Sequence, residues 1–254
     1  MTKHSRSALI GPRMSGRIEA ARTILSQIGV DRTYSKIFAI GMNKTATSSI
    51  DTLFASLGVP RTLHGEQWRP AARSDIIRSW RAFTDGPPED FKGLDQTYPR
   101  SKFVLNTRDL SEWLDSRFQH VTGRQEEGLL DPNNHYWRPT AEAVELWVRH
   151  RDRHHLEVME YFKDRPNDLL IVNFISDPQA AAKIAAFLGK KPPAEKPYTR
   201  STKKTRDHGV LVNAEIIESV LNKMGIPQEE WTNDLYCPSL SGQQPFPART
   251  ADNP

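Results

Sequence analysis

The stretch from Lys36 to Leu57 constrains this chain more than any other. Lys36–Gly41, KIFAIG, is a short apolar run closed by glycine, the pattern of a buried parallel strand. Thr47–Leu57 sets Ile50, Leu53, Phe54 and Leu57 at i, i+3, i+4 and i+7, one face of a helix. Between them lies Met42-Asn43-Lys44-Thr45-Ala46-Thr47. A strand that turns into a helix through such a loop makes an anion site. The first-turn N–H groups lack intrahelical partners, and the helix dipole is positive there. Lys44 adds a full charge, and Thr45, Thr47, Ser48 and Ser49 add hydroxyl donors. A phosphate, or a group isosteric with it, is the expected guest. An ordinary helix start capped by Ser or Thr is the competing reading of this stretch alone.

The remainder of the chain repeats the alternation. Short apolar runs at Gly58–Leu63, Arg81–Thr84, Lys102–Thr107 and Asp168–Phe174 read as strands. Helical periodicity marks Arg17–Ile28, Ser74–Trp80, Glu89–Tyr98, Leu110–Val121, Thr140–Phe162, Asp177–Leu188 and Val210–Met224. The long helix carries Ala143, Leu146, Trp147, His150, His154, Val158 and Tyr161 as its apolar stripe. Gly123–Pro139 has no periodicity, and a loop of that length in a compact domain is more often functional than inert. Strands alternating with helices predict an α/β fold, a central parallel sheet flanked by helices. The expected division is an N-terminal arm and short helix over 1–35, one α/β domain over 36–225, and a Pro-rich surface tail over 226–254.

Composition narrows the setting. Of 254 residues, 26% are charged and 37% apolar, which places the chain among globular rather than disordered sequences. A net charge of +4 suits polyanionic ligands without requiring nucleic acid. One cysteine, Cys237, precludes an internal disulfide framework and suits a reducing, cytoplasmic setting. No apolar run is long enough for a membrane span, and the basic N-terminus lacks the apolar core of a secretory signal.

In an open parallel sheet, ligands bind beyond the carboxyl ends of the strands. Four expected strand ends carry chemistry: Lys44, His64, Asp85 and Arg108. Arg108 closes KFVLNT, and Ser116 follows eight residues later in the next helix. A guanidinium fork and a hydroxyl so placed can hold one oxyanion together.

These motifs support a resemblance. The loop is not a Walker A motif, because Gly41 is followed by Lys44 without the second glycine of G-x-x-x-x-G-K-S/T. Lys44-Thr45-Ala46-Thr47-Ser48-Ser49 instead resembles the 5′-phosphosulfate loop of sulfotransferases, Lys-Ser/Thr-Gly-Thr-Thr-Ser. Ala46 stands where Gly is usual, and Ser48 where Thr is. Tyr98–Ser116, YPRSKFVLNTRDLSEWLDS, is similar to the bacterial sulfotransferase pattern YPxxKFILTxRDPxxWxxS. Tyr161–Gly189 resembles that family's YF…LLVxxI…FLG segment, with Phe174-Ile175 in place of Asp-Ile. The likeness spans roughly Lys36–Gly189.

The resemblance implies a PAPS-dependent sulfotransferase with the P-loop-like architecture of that family. Sulfuryl transfer is physically close to phosphoryl transfer, with positioning and electrostatics carrying most of the catalysis and no metal needed where protein cations supply the charge. By this resemblance Lys44 contacts the bridging oxygen and 5′-phosphate, and Thr45, Ala46, Thr47, Ser48 and Ser49 hold the phosphosulfate. Arg108 and Ser116 hold the 3′-phosphate, with PAP as product. Arg200, Lys203, Lys204 and Arg206 match the family's later basic loop by charge and position, as would a solvated linker. The acceptor's general base is expected to be Asp85 or His64, with Glu66 third. Asp85 also suits a plain turn, given its Gly and Pro neighbours. Trp137, beside His135 and Tyr136, is a candidate acceptor contact, whereas Trp113 and Trp147 fall on core positions. His150 and His154 share a helix face, but three flanking arginines disfavour a dication there. Carbohydrate, lipid-linked and small phenolic acceptors stay open, as does the oligomeric state. A nucleotide-dependent kinase with an atypical phosphate loop and a non-catalytic nucleotide- or anion-binding module are the competing readings.

Overall fold

Lys36-Ile-Phe-Ala-Ile-Gly sits at the middle of the sheet, and its alternation sorts the core into two layers. The computed structural model describes residues 34–70, 74–131, 134–197 and 211–240. The strands are β1 (Ile37–Ala39), β2 (Thr62–His64), β3 (Ala82–Thr84), β4 (Lys102–Asn106) and β5 (Leu169–Val172). All pair in parallel, in the order β2-β3-β1-β4-β5. Successive side chains of a strand face opposite sides, so Ile37 and Ala39 enter one layer while Phe38 and Ile40 enter the other.

The first layer is closed by α1 (Thr47–Ser56) and, further along the chain, by the helix Ala180–Phe187. Ile50, Leu53 and Phe54 of α1 meet Ile184 and Ala185 of that helix over Ile37, Ala39, Val104 and Val172. The short α2 (Ser74–Ser79) precedes β3, and α3 (Phe91–Thr97) precedes β4. The second layer is aromatic. Phe38 stacks on Phe83 and Phe103 at 5.1 and 5.3 Å between ring centres and lies 5.9 Å from Trp68. Phe91 of α3, and Val158, Met159 and Phe162 of α5 (Ala141–Phe162), complete it. A third apolar cluster lies past the carboxyl ends of the strands. It joins Met42 to α4 (Leu110–Glu126), the first half of α5 and α7 (Ala214–Lys223), with Ala180–Phe187 as α6.

Several sequence expectations are corrected. Helix α4 runs to Glu126 rather than Val121, and His135–Trp137 forms a 3-10 turn inside the expected loop. Leu146, placed on the buried stripe of α5, is 45% exposed, because α4 and α7 cover a neighbouring face. The surface tail expected from Ile226 does not hold for residues 226–240. Ile226, Trp231, Leu235 and Cys237 are buried, and the amide of Ser111 donates to the carbonyl of Trp231. Arg151, buried in α5, donates to the carbonyl of Tyr236 and pairs with Asp152 at 2.7 Å, while Asp152 accepts from the amide of Ser239. The expected helix Arg17–Ile28, the basic residues Arg200, Lys203, Lys204 and Arg206, and the end of the tail lie outside the described residues. Among the described residues no helix is long and apolar enough to cross a membrane.

Two adjacent histidines of α5 are buried in this framework. His154 Nε2 donates to the carbonyl of Ile40 at 2.6 Å, tying α5 to the end of β1. Burial holds its pKa at about 4, with the Ile40 carbonyl opposing that shift, and burial likewise keeps His155 well below the usual imidazole range. Unfolded histidines take up protons below about pH 6.5, whereas these stay neutral in the fold. Stability is therefore complete above that pH and is lost as pH falls toward the folded value. From His154 alone, urea unfolding at about pH 5 should show roughly 2 kcal/mol less stability than at about pH 7.5. A flat profile would refute the assignment.

Candidate functional site at the carboxyl edge of the sheet

The connection leaving β1 crosses toward β2, while that leaving β4 crosses toward β5. Neighbouring strands whose connections part in this way open a crevice at their carboxyl ends. The loop Gly41–Ala46 and the segment Thr107–Asp109 occupy that crevice.

Asn106, the fully buried last residue of β4, shapes the loop. The amide of Gly41 donates to Asn106 Oδ1 at 3.0 Å, and Asn106 Nδ2 donates to the carbonyl of Thr45 at 3.3 Å and to its hydroxyl. A Cβ on Gly41 would fall 1.9 Å from the carbonyl oxygen of Asn106, so only glycine fits. The Thr45 hydroxyl donates to the carbonyl of Met42 at 2.5 Å. Thr45, expected among the hydroxyl donors to a ligand, thus turns its side chain inward as a loop clamp.

Ala46 is the N-cap of α1 in the left-handed region, φ 65° and ψ 27°, and Lys44 also has φ 72°. This explains why glycine suits the position of Ala46. A left-handed Ala carries about 1–2 kcal/mol of steric cost. No side chain of the N-cap closes the first turn of α1.

Helix α4 grips the loop from the other side. Arg108 Nη1 donates to the carbonyl of Lys44 at 3.2 Å, Trp113 Nε1 to the carbonyl of Asn43 at 3.0 Å, and Arg117 Nη1 to Asn43 Oδ1 at 2.6 Å. Burial disfavours the Arg108 charge, and Glu112, 3.4 Å away, offsets part of that. Nε of Arg108 is buried without a hydrogen-bond partner among the described residues. Ser116 lies half-buried in the second turn of α4, and no hydrogen bond joins it to Arg108.

Arg117 is 2% exposed, and its guanidinium lies 4.8–5.0 Å from the ring centres of Tyr136, Trp137 and Trp147. Its Nε and Nη2 have no hydrogen-bond partners among the described residues. Tyr136 in turn meets His150 Nδ1 at 2.6 Å. Trp137, a candidate acceptor contact, therefore packs on Arg117, while Trp113 and Trp147 are buried.

The base candidates occupy the ends of β2 and β3. His64 Nδ1 lies 2.8 Å from the Thr84 hydroxyl and Nε2 lies 3.1 Å from the Ser48 hydroxyl. Both nitrogens are engaged, so His64 links β3 to α1. Asp85 follows β3 with φ 94°, ahead of Gly86 at φ 102°. Such backbone strain collects at functional positions. Glu66 is exposed and paired with Arg69 at 2.7 Å. The structure thus brings together Lys44, Thr45, Ala46, Arg108 and Asn106 on one side, and Ser48, His64 and Thr84 on the other.

Asn43, Asn106 and Arg117 are the site residues that sequence reasoning missed. A polar residue closing the apolar run KFVLN was the available signal for Asn106. Replacing Asn106 with Ala should lower stability by about 2–3 kcal/mol, since buried groups of Gly41 and Thr45 lose partners. Chemical denaturation would show it, and a loss under about 0.5 kcal/mol would mean that water restores those bonds. At Ala46, Gly relieves the left-handed strain but loosens the unfolded chain, so Ala46→Gly should raise stability by up to about 1 kcal/mol. A fall in the unfolding midpoint would contradict the strained geometry.

The loop, the strand-end arginine and the parallel sheet can be set against known proteins. No curated protein matches the chain. A family model described as a sulfotransferase domain matches residues 36–206, about two thirds of the sequence and every strand of the sheet. By its fold and this match, the chain belongs to the sulfotransferase family.

Proposed function

We propose that this protein transfers a sulfuryl group from PAPS to a hydroxyl or amine of a small-molecule or carbohydrate acceptor, releasing PAP. The observation that carries this reading is the convergence of two cationic elements on one loop. Lys44 lies in the turn between β1 and α1, and Arg108 donates to that residue's own carbonyl. The buried Nε of Arg108, which has no hydrogen-bond partner among the described residues, fits an anionic group of the donor.

In this proposal PAPS supplies an activated sulfuryl group, and the chain supplies its grip and the proton acceptor. Lys44 neutralises charge at the bridging oxygen and 5′-phosphate. Thr47, Ser48, Ser49 and the loop amides hold the phosphosulfate, with Ala46 setting the turn and Thr45 clamping it. Arg108 and Ser116 hold the 3′-phosphate, which distinguishes PAPS from ATP. Arg200, Lys203 and Lys204 are the further donor contacts proposed from their charge and sequence position. Asp85 accepts the acceptor's proton, because His64 already engages Thr84 and Ser48 through both nitrogens. His64 then orients the Ser48 hydroxyl. The setting is cytoplasmic.

Calorimetry with PAP, ADP and ATP·Mg tests the donor. PAP should bind more tightly than ADP and without magnesium. Arg108→Ala should weaken PAP by about 30–100-fold, the loss of a charge-assisted contact. Lys44→Ala should cut turnover by about two to three powers of ten while preserving much of the PAP affinity. Preference for ATP·Mg would overturn the reading in favour of a kinase.

A further inference from the structure

A cavity of about 430 Å³ opens between the β3–α3 connection and α5. Its first wall begins at Pro87-Pro88, immediately after Asp85-Gly86. Its second wall is one face of α5, with His150, Arg153, His154 and Glu157 at i, i+3, i+4 and i+7. Its first wall thus follows the proposed base by two residues in the chain. Through His154 and the carbonyl of Ile40 the cavity adjoins the start of the anion loop.

The lining is chemically specific. A carbonyl only accepts, so the Ile40 contact fixes the proton of His154 on Nε2. In the neutral ring Nδ1 is then an obligate acceptor. It makes no hydrogen bond to a described residue, and the ring lines the cavity. Glu89 and Glu157 add acceptors, and Lys92 and Arg153 add donors. Phe91 contributes the aromatic surface, edge-on to His154 with ring centres 6.0 Å apart. A phenol or a fatty alcohol would strip water from these charges and return hydrogen bonds through one hydroxyl only. A molecule with many hydroxyls returns both donors and acceptors. The volume falls in the range of small-ligand pockets.

We infer that this cavity binds a polyhydroxylated acceptor of the sugar class, with one hydroxyl donating to His154 Nδ1. The inference rests on the sulfuryl-transfer reading and adds the acceptor's chemistry to it. His154 is a binding residue here, and Asp85 remains the proton acceptor.

Saturation-transfer NMR on the PAP-loaded protein provides the test. The probes are mono- and disaccharides of gluco, galacto and N-acetylamino configuration, set against 4-nitrophenol and 1-octanol. At least one sugar should bind, and neither the phenol nor the alcohol should compete with it. Glu157→Ala and Arg153→Ala should weaken that sugar while PAP affinity, read by calorimetry, stays at the wild-type value. His154→Gln retains a donor for Ile40 but lacks the Nδ1 lone pair, and should weaken the sugar about tenfold. Its thermal midpoint separates this effect from loss of fold. PAP binding with no sugar binding, or sugar binding untouched by all three substitutions, overturns the inference and leaves the donor reading standing. Absence of PAP binding overturns the donor reading itself.

Discussion

The ends of β1 and β4 meet at a distance that only glycine permits. A methyl on Gly41 would collide with the carbonyl of Asn106, and the side chain of that same asparagine holds Gly41 and Thr45 through three polar contacts. Because the two strands pair in fixed register, Ala39 beside Val104, the clamp sits where the two connections diverge. The turn at Lys44 and Ala46 follows from it. With Thr45 held from within the sheet, its neighbours on both sides adopt left-handed backbone, and the chain reverses into α1. The strain is compensated by a fully buried network, which is how a short loop of ordinary residues is kept in an unusual shape.

The two arginines around this clamp are compensated in different ways. Arg117 is buried against three aromatic rings and donates to Asn43, whereas a buried cation more often meets an acid. The rings and one amide oxygen compensate part of its desolvation. Arg108 differs in having Glu112 nearby, which limits the cost of holding it before an anion arrives. Arg108 stands just ahead of α4 and Arg117 within it, and each reaches a different residue of the same loop. Helix α4 thus braces the loop from its second side, and its own position depends on Trp231 and Asn233, whose carbonyls accept from the amides of Ser111 and Leu110.

Much of the fold was legible because its signals are local. Hydrophobic alternation and helical periodicity located all five strands and the described helices, with shifts of a few residues at their ends. Lys44 and Arg108 could be singled out because each is a charge in the turn that follows an apolar run. What escaped depends on contacts distant in sequence. Nothing near Asn106 says that it will bond to a loop more than sixty residues earlier, and nothing near Arg117 shows the aromatic side chains that gather around it. The segment 226–240 reads as tail because its apolar residues have no period. It packs because Trp231, Leu235 and Cys237 fill gaps that the helices leave, a property of the assembled surface and not of the segment.

His154 shows the same limit at the level of chemistry. On its helix it reads as one more residue of a buried stripe, or as half of a histidine pair. Its role is set by a backbone carbonyl at the end of β1, which fixes the proton on one nitrogen and leaves the other as an acceptor. A buried imidazole held neutral in one tautomer behaves as a directed lone pair rather than as a titrating group. The anchor carbonyl belongs to Ile40, whose neighbour Gly41 begins the anion loop. A hydroxyl held by His154 would therefore be positioned relative to the donor's loop by a chain of only two hydrogen bonds, through a rigid strand end. Donor grip and acceptor grip would then share one mechanical reference, the carboxyl end of β1.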